Sequence, residues 1–215
     1  MALMNNTGHN GSSPSPLVIE RAKQTIVSSI SQGDMEPSLN IVQHGYPVDD
    51  PIIDCGITIL MHVSATCEAG QLRQILTLRP DVNARDDIGR TALHFACRAG
   101  KEENFDILME SDEIDFDAVT NAGVTPLMTA VESGNIQLVA KCLNEKLNPF
   151  LKDALDRTAH DYAQHFRDVL GHDMRQLIET AMEQWRSQMA ADEFQEMQEE
   201  QIEYDPDYFG AFKQV

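Results

Sequence analysis

A threonine recurs at Thr58, Thr91, Thr125 and Thr158, at spacings of 33, 34 and 33 residues. No other feature constrains the fold as much. A period of this size over four copies defines a small unit that buries its apolar face only by stacking on its own kind. Two residues ahead of each threonine stand Gly56, Gly89, Gly123 and, in the last copy, Asp156. Two residues after it come Leu60, Leu93, Leu127 and His160, and five after it Val63, Ala96, Ala130 and Ala163. A threonine hydroxyl at a helix start accepts a backbone N–H, worth ~1 kcal/mol. Pro126 directly follows Thr125, where its missing N–H costs nothing. Each copy is therefore predicted to open a helix at its threonine. Gly100 and Gly134, nine residues after their threonines, suit the left-handed turn that ends a helix. A second helix follows, with Phe105, Leu108 and Met109 in one copy and Leu138, Val139, Cys142 and Leu143 in the next at helical spacing. Loops at 81–84, 115–118 and 148–151 complete the unit.

Two copies are irregular. The first has Cys67 where a turn glycine is expected and Gly70 three residues later, which predicts a longer inner helix and a shorter connection. The fourth has Gly171 four residues late, again predicting an extended inner helix.

From about Cys55 to Ile178 this pattern resembles the ankyrin repeat. The resemblance implies an all-α solenoid of helix-turn-helix units with β-hairpin-like loops, and it assigns Thr58, Thr91, His94, Thr125, Pro126 and Thr158 to the structural motif. His94, following Leu93 as in the family's Thr-Pro-Leu-His motif, is implied to be an inter-repeat hydrogen-bonding group. The resemblance also implies that a protein partner meets the loop tips and the exposed side of the inner helices. Those positions here are Ile57, Ile88, Arg90, Arg98, Val124, Glu132, Leu155, Arg157, His165 and Phe166. Three arginines among apolar side chains form an unusual face for so acidic a chain.

The flanks read differently. Residues 1–16, rich in Gly, Ser and Pro, are predicted to be a disordered tail. Val18, Ala22, Ile26 and Ile30 recur every four residues and predict an amphipathic helix that stops near Gly33. Gly45 follows Gly33 by 12 residues, and Asp49 falls in phase with the loop at 81–84, so 17–50 reads as a degenerate capping repeat. Repeats then occupy 51–181, and 182–215 is an acidic helix extension with an aromatic C-terminal peptide. Met174, Leu177, Ile178, Ala181, Met182, Trp185 and Met189 form one stripe of a long helix. Phe194 and Met197 fall off that stripe. The helix is predicted either to break near Ala191 and Asp192 or to continue with another face in contact. In the last stretch Tyr204, Tyr208, Phe209 and Phe212 interleave with Glu203, Asp205 and Asp207. This is a docking peptide complementary to an arginine-bearing groove, either its own or that of another subunit.

A formal charge of −19 argues against nucleic acid and anionic membranes, which reward Lys and Arg. Cys55, Cys67, Cys97 and Cys142 show no C-x-x-C spacing, as in a reduced, cytoplasmic protein, with cytoskeletal or nuclear placement open. No apolar window reaches the length of a membrane span, and the first residues lack a secretory leader pattern. His160-Asp161 and His172-Asp173 resemble the paired dipeptides of metal phosphohydrolases, but His160 occupies the leucine column. Cys97 and Cys142 read as small core residues. Asn83 sits where some ankyrin loops resemble substrates of an asparaginyl hydroxylase, and reads as a loop brace. The expectation is no catalytic residue, metal, cofactor or small-molecule substrate. It is a protein-binding adaptor or regulator of open oligomeric state. The alternative is a structural subunit of a larger cytoskeletal or ciliary assembly, anchored by its C-terminal helix and tail.

Overall fold

The computed structural model describes residues 15–166 and 169–202, with side chains to 189. Residues 203–215, with Tyr204, Tyr208, Phe209 and Phe212, lie outside the described residues, as do 1–14 and the side chains of Phe194 and Met197. Ten α-helices are present among the described residues, with no strand.

All four threonines stand in extended conformation at a helix start. The helices they open are α3 (Ile59–Thr66), α5 (Ala92–Arg98), α7 (Pro126–Ser133) and α9 (Ala159–Ala163), and these four pack on one another in series. Thr58, Thr125 and Thr158 accept the amides of Met61, Met128 and Asp161 at 3.4, 3.2 and 3.4 Å. Val63, Ala96, Ala130 and Ala163 are fully buried between the inner helices, where their small volume permits close approach. Leu60, Leu93 and Leu127 are buried beside them. The outer helices are α4 (Ala69–Leu76), α6 (Glu102–Met109) and α8 (Ile136–Asn144).

Ahead of the repeats, α1 (Pro16–Gln32) and α2 (Glu36–Gln43) pack on each other, and α1 also meets α3. Gly33 ends α1 in the left-handed conformation, φ 77°. Ile26 and Ile30 are buried. The Asp49 carboxylate accepts the Asp81 amide at 2.9 Å, Asn83 accepts that of Asp115 at 2.8 Å, and Asp117 accepts that of Asn148 at 2.9 Å. One side-chain brace thus links the loops at 49, 83 and 117 each to the next. Asn83 also donates to the Glu113 carbonyl at 2.6 Å, so both ends of its amide are engaged.

The irregular copies differ from expectation. In the first, α3 has eight residues, the same as α7, and is not extended. Cys67 ends it, and Glu68 immediately caps α4, its amide donating to Gln71 Oε1 at 3.0 Å, which places Gly70 inside α4. In the fourth, α9 has only five residues. The carbonyls of Ala163 and Phe166 turn to the Arg175 guanidinium at 3.1 and 3.2 Å, and α10 (Val169–Ile202) begins three residues after Phe166. Gly171 lies inside α10, where a Cβ would collide with the Phe166 carbonyl. Its place reflects close packing, not an extended inner helix.

α10 takes the position of a fourth outer helix, against α8 and α9. It is continuous through Ala191 and Asp192, so of the two alternatives the break does not occur. Met174 and Ile178 are fully buried, Leu177, Ala181 and Met182 partly so. The Trp185 ring meets Phe150 edge-on at 6.4 Å, and the Arg186 guanidinium lies 5.1 Å from the Phe150 ring centre. Beyond that contact Met189 is 53% exposed.

Truncating the leucine column should be costly because each side chain is sealed between repeats. Leu93→Ala and Leu127→Ala are each expected to lose about 2–5 kcal/mol in urea melts. A loss below about half a kilocalorie at both positions would contradict this packing.

Candidate functional site

The loops ahead of the inner helices form one continuous row. The Asp87 amide donates to the Cys55 carbonyl at 3.0 Å, Asn121 to Ile88 at 2.9 Å, and Ala154 to Ala122 at 2.8 Å. Such contact requires glycine for two reasons. Gly56, Gly89 and Gly123 have φ of 80, 85 and 76°. A Cβ on Gly89 would also lie 2.8 Å from the Asn121 amide nitrogen, and one on Gly123 3.0 Å from the Asp153 Cα. Asp156 holds the same conformation, φ 63°, in the fourth copy. No following repeat loop presses on it among the described residues, so only the left-handed strain remains, which Asp tolerates better than most residues.

Each loop is also closed from within. In the second copy Asp86 Oδ1 accepts the amides of Ile88 and Arg90 at 3.2 and 2.7 Å, while Oδ2 accepts Arg90 Nε at 2.7 Å. In the fourth Asp153 Oδ1 accepts the amides of Leu155 and Arg157, both at 2.9 Å, and Oδ2 accepts Arg157 Nη2 at 2.6 Å and the Tyr162 hydroxyl at 2.8 Å. The Arg90 guanidinium then covers the Phe95 ring at 4.5 Å and Arg157 covers Tyr162 at 4.6 Å. The third copy does the same with neutral groups, the Thr120 hydroxyl accepting the Val124 amide at 3.1 Å. Both acids are buried, and charge-assisted hydrogen bonds in a dry site are strong. Burial opposes ionisation of Asp153, yet the bonds from Arg157, the loop amides and Tyr162 hold its carboxyl well below the usual range. Burial and the Asp153 carboxylate push the Tyr162 hydroxyl up to about 12.

His94 ties two units together. The Thr91 amide donates to His94 Nδ1 at 3.2 Å and the Thr91 hydroxyl lies 3.0 Å from the same nitrogen. Nδ1 is thus the acceptor, and Nε2 carries the proton that reaches the Val124 carbonyl at 3.0 Å. Burial lowers the imidazole to about 4, against the Val124 carbonyl, which favours the protonated ring.

On this face Ile88 is 52% and Leu155 71% exposed. Arg98, Glu132 and His165 are exposed, while Ile57, Val124 and Phe166 are half-buried. Arg98 and Glu132 line one shallow depression with Ser133. Arg90 and Arg157, expected as cations for a partner, are committed to Asp86 and Asp153 within the loops. A column not singled out from the sequence lies four residues after each threonine: His62, Phe95, Thr129 and Tyr162. Its signal was present, because an acid, an arginine and an aromatic recur at the same intervals in 86/90/95 and 153/157/162.

The residues considered for chemistry are otherwise engaged. His160 Nε2 meets Glu179 Oε1 at 2.8 Å, Asp161 accepts the Thr158 amide at 2.8 Å, and His172 is exposed on α10. Among the described residues no cluster of three His, Cys, Asp or Glu side chains is placed to hold a metal. Burial pushes the Cys97 thiol well up, and the Cys142 thiol beside it adds to this. No helix of the described residues is long and apolar enough to cross a membrane.

The family profile described as ankyrin repeats (3 copies) matches residues 60–153. A stretch of 145 residues, 66% of this chain, is 28% identical to neurogenic locus notch homolog protein 2 of Homo sapiens. Another of 142 residues, 64% of the chain, is 25% identical to neurogenic locus notch homolog protein 1 of Danio rerio. Each match spans only 6% of the relative's length.

Acid should weaken the structure in a defined window. The folded state keeps His94 neutral while the unfolded chain protonates near 6.5, so its contribution is complete above about pH 6.5 and is lost as pH falls toward about 4. At 1.36 kcal/mol per pKa unit this amounts to about 3 kcal/mol. His94→Gln preserves a side chain able to cap Thr91. Urea melts from pH 7 to 4 are expected to show a shallower decline for the variant than for the wild type, and parallel curves would contradict the assignment.

Proposed function

We propose that this chain, a member of the ankyrin-repeat family through residues 60–153 and the helix pairs around them, is a non-catalytic adaptor or regulator. Ankyrin repeats are generally protein–protein interaction modules, and the loop-tip and inner-helix face is the surface that would meet a protein partner here. One observation carries this reading: apolar tips, Ile88 and Leu155, stand exposed on loops whose backbones are bonded to one another. Ordering such side chains costs little on binding, because the loops are already held. The helix pair at 17–50 would serve as the N-terminal cap of the array.

The second reading, a structural subunit anchored through its C-terminus, is favoured by α10. This helix runs to Ile202, 16 residues past the contact of Arg186 with Phe150. A permanent anchor would use the extension and leave the loop tips bare.

Affinity purification from native cells with quantitative mass spectrometry separates the two. Ile88→Asp combined with Leu155→Asp should reduce the recovered partner at least about ten-fold, the size expected when central apolar contacts are lost. Thermal stability should be unchanged, because both side chains are solvent-exposed. Retention by this variant, with loss on deletion of 190–215, would support the anchored subunit instead.

A further inference from the structure

We infer that the loop-tip row accepts an extended protein segment in which Lys or Arg flanks an aliphatic or aromatic side chain, and that the acidic C-terminal peptide is not its occupant. This rests on the reading of that face as the partner surface and adds the chemistry of what it takes.

Sorting the face's charges by what they already touch gives the sign. Arg90 and Arg157 are spent on the buried carboxylates of Asp86 and Asp153. Lys152 is paired with Asp156 at 2.9 Å, and the Arg85 guanidinium donates to the Val119 carbonyl. Among the described residues the charges on this face with no ion pair or hydrogen bond to their side chains are Asp54, Asp87, Glu132 and Arg98. Three acids remain against one base. Two of the acids are exposed beside the apolar tip, since Asp87 precedes Ile88 and its amide is bonded to the Cys55 carbonyl, next to Asp54. On this face, among the described residues, the unpaired cation Arg98 shares its depression with Glu132.

A segment laid across the row would thus meet an apolar side chain, Ile88, with carboxylates beside it, and a second apolar tip, Leu155, two units on. Beside Ile88 an incoming carboxylate would lose water and meet only acids, whereas an incoming Lys or Arg would keep a partner. The chain's overall charge of −19 acts in the same direction, repelling acidic segments and steering basic ones toward the surface.

The test pans a random twelve-residue peptide display library on the full-length chain and measures synthetic copies of the enriched sequences by fluorescence anisotropy. The probes also include a synthetic peptide of residues 203–215. Enriched peptides should carry Lys or Arg beside Leu, Ile, Phe or Trp. Their affinity should fall about ten-fold or more in Ile88→Ser/Leu155→Ser and in Asp54→Lys/Asp87→Lys, and weaken with added salt. Acidic enriched sequences, or a 203–215 peptide whose binding is lost in Ile88→Ser/Leu155→Ser, would overturn the charge assignment and leave the partner face standing. Basic-apolar peptides insensitive to Ile88→Ser/Leu155→Ser would overturn the face as well. A library yielding no enrichment over the uncoated support would overturn the fit of an extended segment to this row.

Discussion

The hydrogen bond from each loop tip to the backbone of the preceding one is the constraint on which the rest of the structure depends. It forms only because Gly56, Gly89 and Gly123 leave no Cβ between the backbones of adjacent loops and accept a positive φ. With the loops fixed at that separation, the inner helices they lead into must lie equally close, which is why the column beneath them is Val63, Ala96, Ala130 and Ala163. Larger residues there would push the helices apart and break the tip contacts; smaller spacing would expel the leucines. Loop geometry and core volume are therefore one specification written at two places in each repeat.

Electrostatics serve register more than strength. Arg73 pairs with Glu110, Lys101 with Glu68 and Lys141 with Asp106, each joining an outer helix to its neighbour. These pairs are solvent-exposed to varying degrees and individually contribute little. The buried pairs behave otherwise. Asp86–Arg90 and Asp153–Arg157 sit within single loops, and removing the arginine would strand a buried carboxylate. In a chain with 35 acids and 16 bases, spending two arginines on internal acids leaves the loop-tip face with the sign of the whole protein.

How much of this was legible follows from how local each cause is. Helix starts, the leucine and small columns, the turn glycines and the phase of Asp49 were readable, because each is set by a single residue's backbone or volume preference repeated at a fixed interval. The irregular copies were not. The end of α3 depends on Glu68 and Gln71 capping the next helix, and the end of α9 depends on Arg175, twelve residues further along and on another helix. Nothing in the spacing of glycines encodes those contacts. The arginines were misjudged as available for a related reason: a column reading exposes which residues share a face, while the acid four residues earlier determines whether the charge is free. That interval was visible at 86/90 and 153/157, and its meaning emerges only once the loop is seen to close on itself.

The two ends of the array solve one problem differently. A stacked unit leaves an apolar edge wherever stacking stops, and the edge must be covered by something with a polar outer face. At the N-terminus α1 and α2 do so with Ile26 and Ile30 turned inward. At the other end the fourth inner helix is reduced to five residues, too short to shield its own unit, and α10 supplies the cover with Met174 and Ile178. Among the described side chains the cover runs from Met174 to Trp185, within the first half of a helix some 51 Å long at 1.5 Å per residue. The face from Met174 to Trp185 thus closes the core at this end, as α1 and α2 close it at the other.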